Sequence, residues 1–413
     1  MADYDVIVVG GGPAGAMAAW RLALNGAKTL LVERQSLPRH KTCGGGVPMS
    51  AANLLEMQKI TDLAPDSFVE LTVKHLMCTF NFANEYLLPV NAEGRDEAGI
   101  WMVQRSSFDH ALVKRAAAAG AEVRDATRLM ALDAEDHDHP QITLSYNGDH
   151  ETHSARFIIG ADGANGVVAR LAGIRTTRSV AIAAEAEVPI DWNSVSSKVR
   201  KDVIHLEFGD VPGGYSWLFP KGNHINAGAG LFSELAPNHT SPHLTKVLLQ
   251  NCIMKYLDHA GIPYERDSLR YHFHPLPLWN GKHSLQNRRG SVLLAGDAAG
   301  LVNPIFGDGI LHALRSGDIA ARCIVGGTAT NYTREINTLY QSNFDSAQRM
   351  ARLFYRWPEI SYNLLVPRPG AGQIAMRLLS GEAPFTGMTR RMLRRISSSV
   401  ASTRKGKYDR ANH

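Results

Sequence analysis

Cysteine is scarce in this chain of 413 residues. Only Cys43, Cys78, Cys252 and Cys323 occur, and no two have CxxC spacing. That argues against a zinc ribbon or a redox dithiol and points to free thiols in a reducing compartment. No apolar run approaches the ~18 residues that a membrane-spanning helix needs. The opening Met1-Ala-Asp-Tyr-Asp carries no basic segment, so no secretion signal is expected and a cytoplasmic location is. No unit recurs with a period of roughly 20–50 residues, which argues against solenoids and propellers. Neither sign of charge dominates: 44 Lys+Arg stand against 39 Asp+Glu, a net charge of +5. With 44% hydrophobic and 20% charged residues, the composition excludes a disordered or collagen-like chain. The length exceeds one ordinary compact core and suits two domains.

Glycine is plentiful, at 37 residues, and it clusters. The clusters adjoin apolar runs, as in an α/β protein whose loops approach a ligand closely. The first cluster follows the strand expected at Asp5–Val9 and opens a helix expected over Ala14–Asn25. Gly10, Gly12 and Gly15 form G-x-G-x-x-G there, with Pro13 and Ala14 between the last two. Gly10 allows the tight turn, Gly12 lets a pyrophosphate approach the backbone, and Gly15 lets strand and helix pack. The helix N-terminus then faces the anion with free N–H groups. Glu33 ends the next strand, eighteen residues after Gly15, where a carboxylate accepts ribose hydroxyls. An acid there points to FAD or NAD rather than NADP. Arg34, directly after it, is a further candidate for binding the cofactor.

Two later segments discriminate between the dinucleotides. Asp162-Gly163 follows a strand expected at Phe157–Ile159. Asp297 follows one expected at Val292–Leu294, and the glycine-rich run Pro304-Ile-Phe-Gly307-Asp308-Gly309-Ile310 leads into another helix. An acid at a strand end can hold a polyol chain, and the glycines can cover a flat ring. A flavin has both parts, whereas a nicotinamide dinucleotide has no ribityl chain, so FAD is expected.

With these segments the chain resembles the FAD-dependent hydroxylase and reductase superfamily, and within it the geranylgeranyl reductase family. The finer likeness lies in Pro38-Arg-His-Lys-Thr-Cys43-Gly44-Gly-Gly46, Tyr215-Ser-Trp217-Leu-Phe219-Pro220-Lys221-Gly222 and Arg105-Ser-Ser-Phe108-Asp109. The resemblance implies an α/β fold. A Rossmann-like FAD-binding domain of the glutathione reductase type would take residues 1–70, 100–178 and 285–331. An inserted antiparallel β-sheet substrate domain would take 71–99 and 179–284, and a C-terminal helical region 332–413. It also implies roles. Gly10, Gly12, Gly15 and Glu33 would hold the ADP half, Arg105 and Cys43-Gly44 would lie by the flavin, and Asp297 would take the ribityl hydroxyls. Pro304, Gly307 and Gly309 would lie against the ring, ahead of Ile310. Asp162 would be more structural than catalytic.

On a strand, Tyr215, Trp217 and Phe219 project to one face and make an apolar wall. By resemblance that wall lines an isoprenoid tunnel, and Cys43 is an acid or gate beside the flavin. The activity implied is reduction of C=C bonds in an isoprenoid or similar lipophilic molecule. NAD(P)H or a donor protein such as ferredoxin would supply electrons transiently. The alternative is an FAD-dependent monooxygenase or halogenase, although Tyr215-x-Trp217-x-Phe219-Pro220 only partly matches the halogenase pattern Trp-x-Trp-x-Ile-Pro. His272 and His274 alternate without further ligands nearby, so no metal site is expected.

The basicity is local. Between Met388 and Arg410, eight Lys and Arg stand against Asp409, so this tail carries +7 and the rest of the chain −2. At 100° per residue, Met388, Met392, Leu393, Ile396 and Val400 share one arc, opposite Arg390, Arg391, Arg394 and Arg395. Such a helix suits either docking on the body or contact with an anionic membrane surface, and nucleic acid is not expected.

Overall fold

The computed structural model describes residues 2–48, 67–91, 99–134, 139–174, 179–235, 241–281, 283–388, 390–392 and 394. The first sheet is built on the strand Tyr4–Val9, which pairs in parallel with Thr29–Val32 and with Asp149–Gly160. Glu122–Arg124 and Val292–Leu294 extend the parallel part on either side. A short antiparallel extension follows through Gln141–Tyr146 and Arg128–Asp133. The expected short strand at Phe157–Ile159 is the buried end of the twelve-residue strand Asp149–Gly160. Its first half is polar and exposed, so the apolar end alone carried the sequence signal.

The helix Pro13–Leu24 crosses this sheet with Pro13 in its first turn, where the missing N–H costs nothing. It packs against the helix Ile310–Val325 at very short range. A Cβ on Gly317 would lie 2.1 Å from the carbonyl oxygen of Ala14, so backbone meets backbone at that crossing.

The second sheet runs in the order His272–Leu278, Ser179–Pro189, His224–Phe232, Gly214–Pro220, Val203–Glu207, His75–Phe80, Ala83–Pro89. It is not purely antiparallel as expected, because Val203–Glu207 and His75–Phe80 pair in parallel. One face is covered by the helix Pro242–Ala260, whose Leu249, Ile253 and Leu257 pack with Leu218, Ala227 and Ala229. The other face carries Tyr215, Trp217 and Phe219. A small third sheet joins Gly46–Pro48 and Val69–Val73 to Ile100–Val103, and Val69–Val73 runs across the boundary expected between residues 70 and 71.

Among the described residues from Tyr332 onward helices predominate, with Tyr332–Arg356 the longest. The Tyr332 hydroxyl donates to the Leu294 carbonyl at 2.7 Å and ties this region to the first sheet. Met392 is buried beside Met350, Phe354 and Phe385, while Arg390 and Arg391 are exposed. Leu393, Arg395, Ile396, Val400 and the remaining basic residues of the tail lie outside the described residues. Among the described residues, no helix is long and apolar enough to cross a membrane.

Gly317→Ala tests the helix crossing. Helix propensity alone would favour alanine by up to ~1 kcal/mol. The methyl group cannot fit against Ala14, so a net loss of about 1–3 kcal/mol is expected in urea unfolding.

Candidate functional site

The first glycine cluster forms a cradle. Gly10 has φ +113°, and a Cβ there would sit 2.2 Å from the Ala161 carbonyl oxygen. A Cβ on Gly15 would lie 1.9 Å from the Gly10 carbonyl, so both positions admit only glycine. Gly12 is the N-cap of the helix Pro13–Leu24, and no side chain caps that helix. Gly309 does the same for Ile310–Val325. Two helix N-termini therefore keep their first N–H groups for an anion or an electron-rich edge. Those uncapped ends, the glycine cradle and the acid Asp297 suit a flavin dinucleotide.

A chain of ion pairs ties the cradle to a remote helix. Glu33 accepts the Gly11 N–H at 2.9 Å and pairs with Arg39 at 3.2 Å. Arg39 also reaches Asp109 at 3.0 Å, and Arg105 grips Asp109 with two bonds of 2.8 Å. Arg39, Arg105, Asp109 and Glu33 are all largely shielded from water, whereas Arg34 is exposed. The cation that meets Glu33 is thus Arg39. Both arginine partners of Asp109 lie in motifs noted above, but their meeting depends on the fold.

Asp162 accepts the N–H groups of Val167 and Val168 at 2.5 and 3.0 Å, which holds the start of the short helix Val168–Leu171. A Cβ on Gly166 would lie 2.2 Å from that carboxylate, which accounts for glycine there. Asp297 faces His274 at 3.8 Å. Burial works against its ionisation, yet His274 and the Lys41 ammonium hold it below the ordinary carboxylate range. Pro304 is buried, and Gly307 has φ +71°.

The three aromatics form one wall, as their alternation implies. Ring centroids are 5.9 Å apart for Tyr215 and Trp217, and 6.1 Å for Trp217 and Phe219. The wall touches both glycine loops. At one end the Tyr215 hydroxyl donates to the Phe306 carbonyl at 2.5 Å. At the other, a Cβ on Gly44 would lie 2.7 Å from the Phe219 ring. Cys43, Gly44 and the Pro304–Ile310 loop are thereby gathered on one side of the second sheet. Lys221, fully buried, donates to the carbonyls of Gly44 and Val103 at 2.8 and 2.9 Å and pins the Cys43 loop.

Sequence reasoning missed the polar floor beside this wall. Glu185 lies directly across the sheet from Gly228, and Gly228 from Trp217. Glu185 Oε1 accepts the Cys43 N–H at 2.9 Å. Asn226 Nδ2 donates to Glu185 at 3.0 Å and to Glu187 at 3.1 Å, while its Oδ1 accepts the Trp217 indole N–H at 2.9 Å. Glu187 also meets His224 at 2.7 Å. The two carboxyls differ. Burial, with the Glu187 charge added, pushes Glu185 up to about 7. Glu187 is also penalised by burial, but His224 holds it below the ordinary range. The readable signal was Ala184-Glu185-Ala186-Glu187-Val188, which places two acids on one face of an otherwise apolar strand.

Gly228 makes room for Trp217. A Cβ there would lie 2.0 Å from the indole. Gly228→Ala is expected to displace the ring and break its bond to Asn226. A changed near-ultraviolet circular dichroism spectrum and a stability loss of about 1–3 kcal/mol should result.

Comparison with known proteins agrees with this geometry. A family described as FAD binding domain matches residues 3–316. A digeranylgeranylglycerophospholipid reductase from Methanosphaera stadtmanae is 31% identical over 331 residues, covering 78% of this chain and 77% of that protein. A chloroplastic geranylgeranyl diphosphate reductase from Oryza sativa is 28% identical, covering 85% of this chain and 75% of its own length. Among solved structures, a geranylgeranyl bacteriochlorophyll reductase-like protein from Thermoplasma acidophilum aligns with a TM-score of 0.72 at 23% identity, over 98% of each chain. A flavin-dependent brominase aligns with a TM-score of 0.69 at 18% identity, over 97% of this chain and 99% of its own. At such identities the structures establish a shared fold only.

Proposed function

The chain belongs to the FAD binding domain family, among relatives of the geranylgeranyl reductases, and from that we propose that it is an FAD-dependent reductase of isoprenoid C=C bonds. The observation that carries the reading is the wall of Tyr215, Trp217 and Phe219, which touches both glycine loops beside the cofactor segments. A long apolar chain can lie along such a wall, and aromatic faces shed water from an alkene at little entropic cost.

The bound flavin would supply hydride. The protein's residues do the rest. Gly10, Gly12, Pro13, Ala14, Gly15 and Glu33 would hold the ADP half, Asp297 the ribityl chain, and Pro304, Gly307, Gly309 and Ile310 the ring edge. Arg105, bound to Asp109, and Cys43-Gly44 would border the ring from the opposite loop. In this reading the first sheet is a Rossmann-like FAD-binding domain of the glutathione reductase type, and the second is the inserted substrate domain. NAD(P)H or an electron-donor protein would reduce the flavin in passing. The exposed arginines at the start of the basic tail would draw the protein to an anionic membrane surface, where lipophilic substrates reside.

The flavin fold is shared with oxygen-using halogenases, so oxygen is the discriminating variable. Reduced enzyme mixed anaerobically with a geranylgeranyl lipid should give the saturated chain, read by mass spectrometry as a gain of two hydrogens per double bond. Product formed only with O2 would overturn the reading. Deleting residues 388–413 should weaken binding to anionic vesicles at low salt, and equal binding would refute the membrane role.

A further inference from the structure

Adding hydrogen across a double bond consumes a hydride and a proton. An unactivated prenyl alkene is electron-rich, so the proton must lead, and an acid must be held ready beside the substrate wall. We propose that Glu185, backed by Glu187, supplies this proton. The inference rests on the reductase reading and extends it to a residue.

Position comes first. Glu185 occupies the row His272–Glu185–Gly228–Trp217 across the second sheet, on the face that bears the aromatic wall. Gly228 has no side chain, so no side chain of that strand stands between Glu185 and the indole. Glu185 is 1% exposed, yet its carboxyl touches the Cys43 N–H on the loop against Trp217 and Phe219. Asn226 holds both carboxyls and the indole at once, so acid and wall share one rigid support.

The proton balance follows. The flavin, when bound, would supply the hydride for one alkene carbon, and the electron pair of the opened π bond would form the C–H bond at the other. Glu185 gives its proton to the other carbon and is left as carboxylate. Water would return the proton from the side on which Glu187 lies. Glu187 and His272 line a cleft of about 480 Å³ with Tyr264 and Arg270, which gives this end of the cluster access to water.

Every neighbour of Glu185 bears on its titration. Glu187 on the same strand raises it. Asn226 stabilises its anion, as do the Cys43 N–H and Lys41 from the adjacent loop. His40 stands 4.0 Å away with its ring against that of His272, and Lys221, just past the strand Gly214–Pro220 beyond His224–Phe232, also feels its charge. Its own burial, with the Glu187 charge added, outweighs these groups, and burial also weakens the charge on His40, Lys41 and Lys221, so the carboxyl keeps its proton to about pH 7.

The test uses FAD-loaded protein reduced with dithionite and mixed anaerobically with a geranylgeranyl lipid in micelles. Glu185→Gln should slow saturation by about 100-fold or more, with KM changed by less than about 3-fold. Glu185→Asp should restore part of the rate. The wild-type rate should fall as pH rises through about 7, and the Glu185→Gln rate should not. Glu187→Gln removes a like charge, so its profile should move to lower pH. A second readout is independent of turnover. Glu185 goes from an ordinary value of 4.5 to about 7 on folding, so the folded state binds more protons between them. Wild-type stability in urea should therefore fall relative to Glu185→Gln as pH rises across that window. Wild type that reduces no alkene would overturn the reductase reading and this inference with it. Wild type that reduces alkene, with Glu185→Gln equally fast or equally pH-dependent, would overturn the inference alone. A stability difference flat with pH would do so too.

Discussion

Asp109 has no exposure to water, and its carboxylate is shared by Arg105 and Arg39. Removing one partner from such a buried set typically costs ~3–5 kcal/mol, because a charge is left without compensation. The set joins three parts of the chain that are far apart in sequence. Arg105 and Asp109 come from one helix, Arg39 from the loop leading to Cys43, and Glu33 from the end of the second strand. The loop must therefore lie where the helix and the glycine cradle put it. Lys221 then pins the far end of that loop through the Gly44 carbonyl.

A second constraint arises in the other sheet, where a missing side chain matters more than a present one. Gly228 leaves the space into which the Trp217 ring leans, and Asn226 secures the indole nitrogen. The same amide holds Glu185 and Glu187 in unlike surroundings. Two acids on the same face of one strand cannot both ionise cheaply when one is buried, and their partners decide which does. His224 serves Glu187. Glu185, more deeply buried, has the Asn226 amide, the Cys43 N–H and no cation as near as His224 is to Glu187.

Both constraints act on the short Cys43–Gly46 loop. One side of it meets the ion-pair chain and the other meets the aromatic wall and the carboxyl pair. The glycine cradle and the aromatic wall are thus fastened to each other by buried polar contacts. That combination suits hydride chemistry on an apolar chain, where hydrophobic packing alone would leave the proton source undefined.

Much of the site was legible in the residues. Gly10, Gly12 and Gly15 were readable because a glycine fingerprint is local, and its strand, turn and helix are adjacent in sequence. The wall was readable because strand geometry places Tyr215, Trp217 and Phe219 on one side without any knowledge of neighbours. The strand ending at Gly160 was read short, since its exposed half lacks apolar patterning, and the parallel pairing of Val203–Glu207 with His75–Phe80 could not be read at all. Pairing direction depends on which strands meet, and no local propensity encodes it. Arg39 with Glu33, and Glu185 with Cys43, were illegible for the same reason. They are 142 residues apart in the second case, and their partnership exists only once two sheets pack on one loop. Local stereochemistry and periodicity determined the cofactor segments and the wall. Tertiary structure alone decided which charges are buried together and which acid keeps its proton, because desolvation and pairing depend on everything that packs around a group.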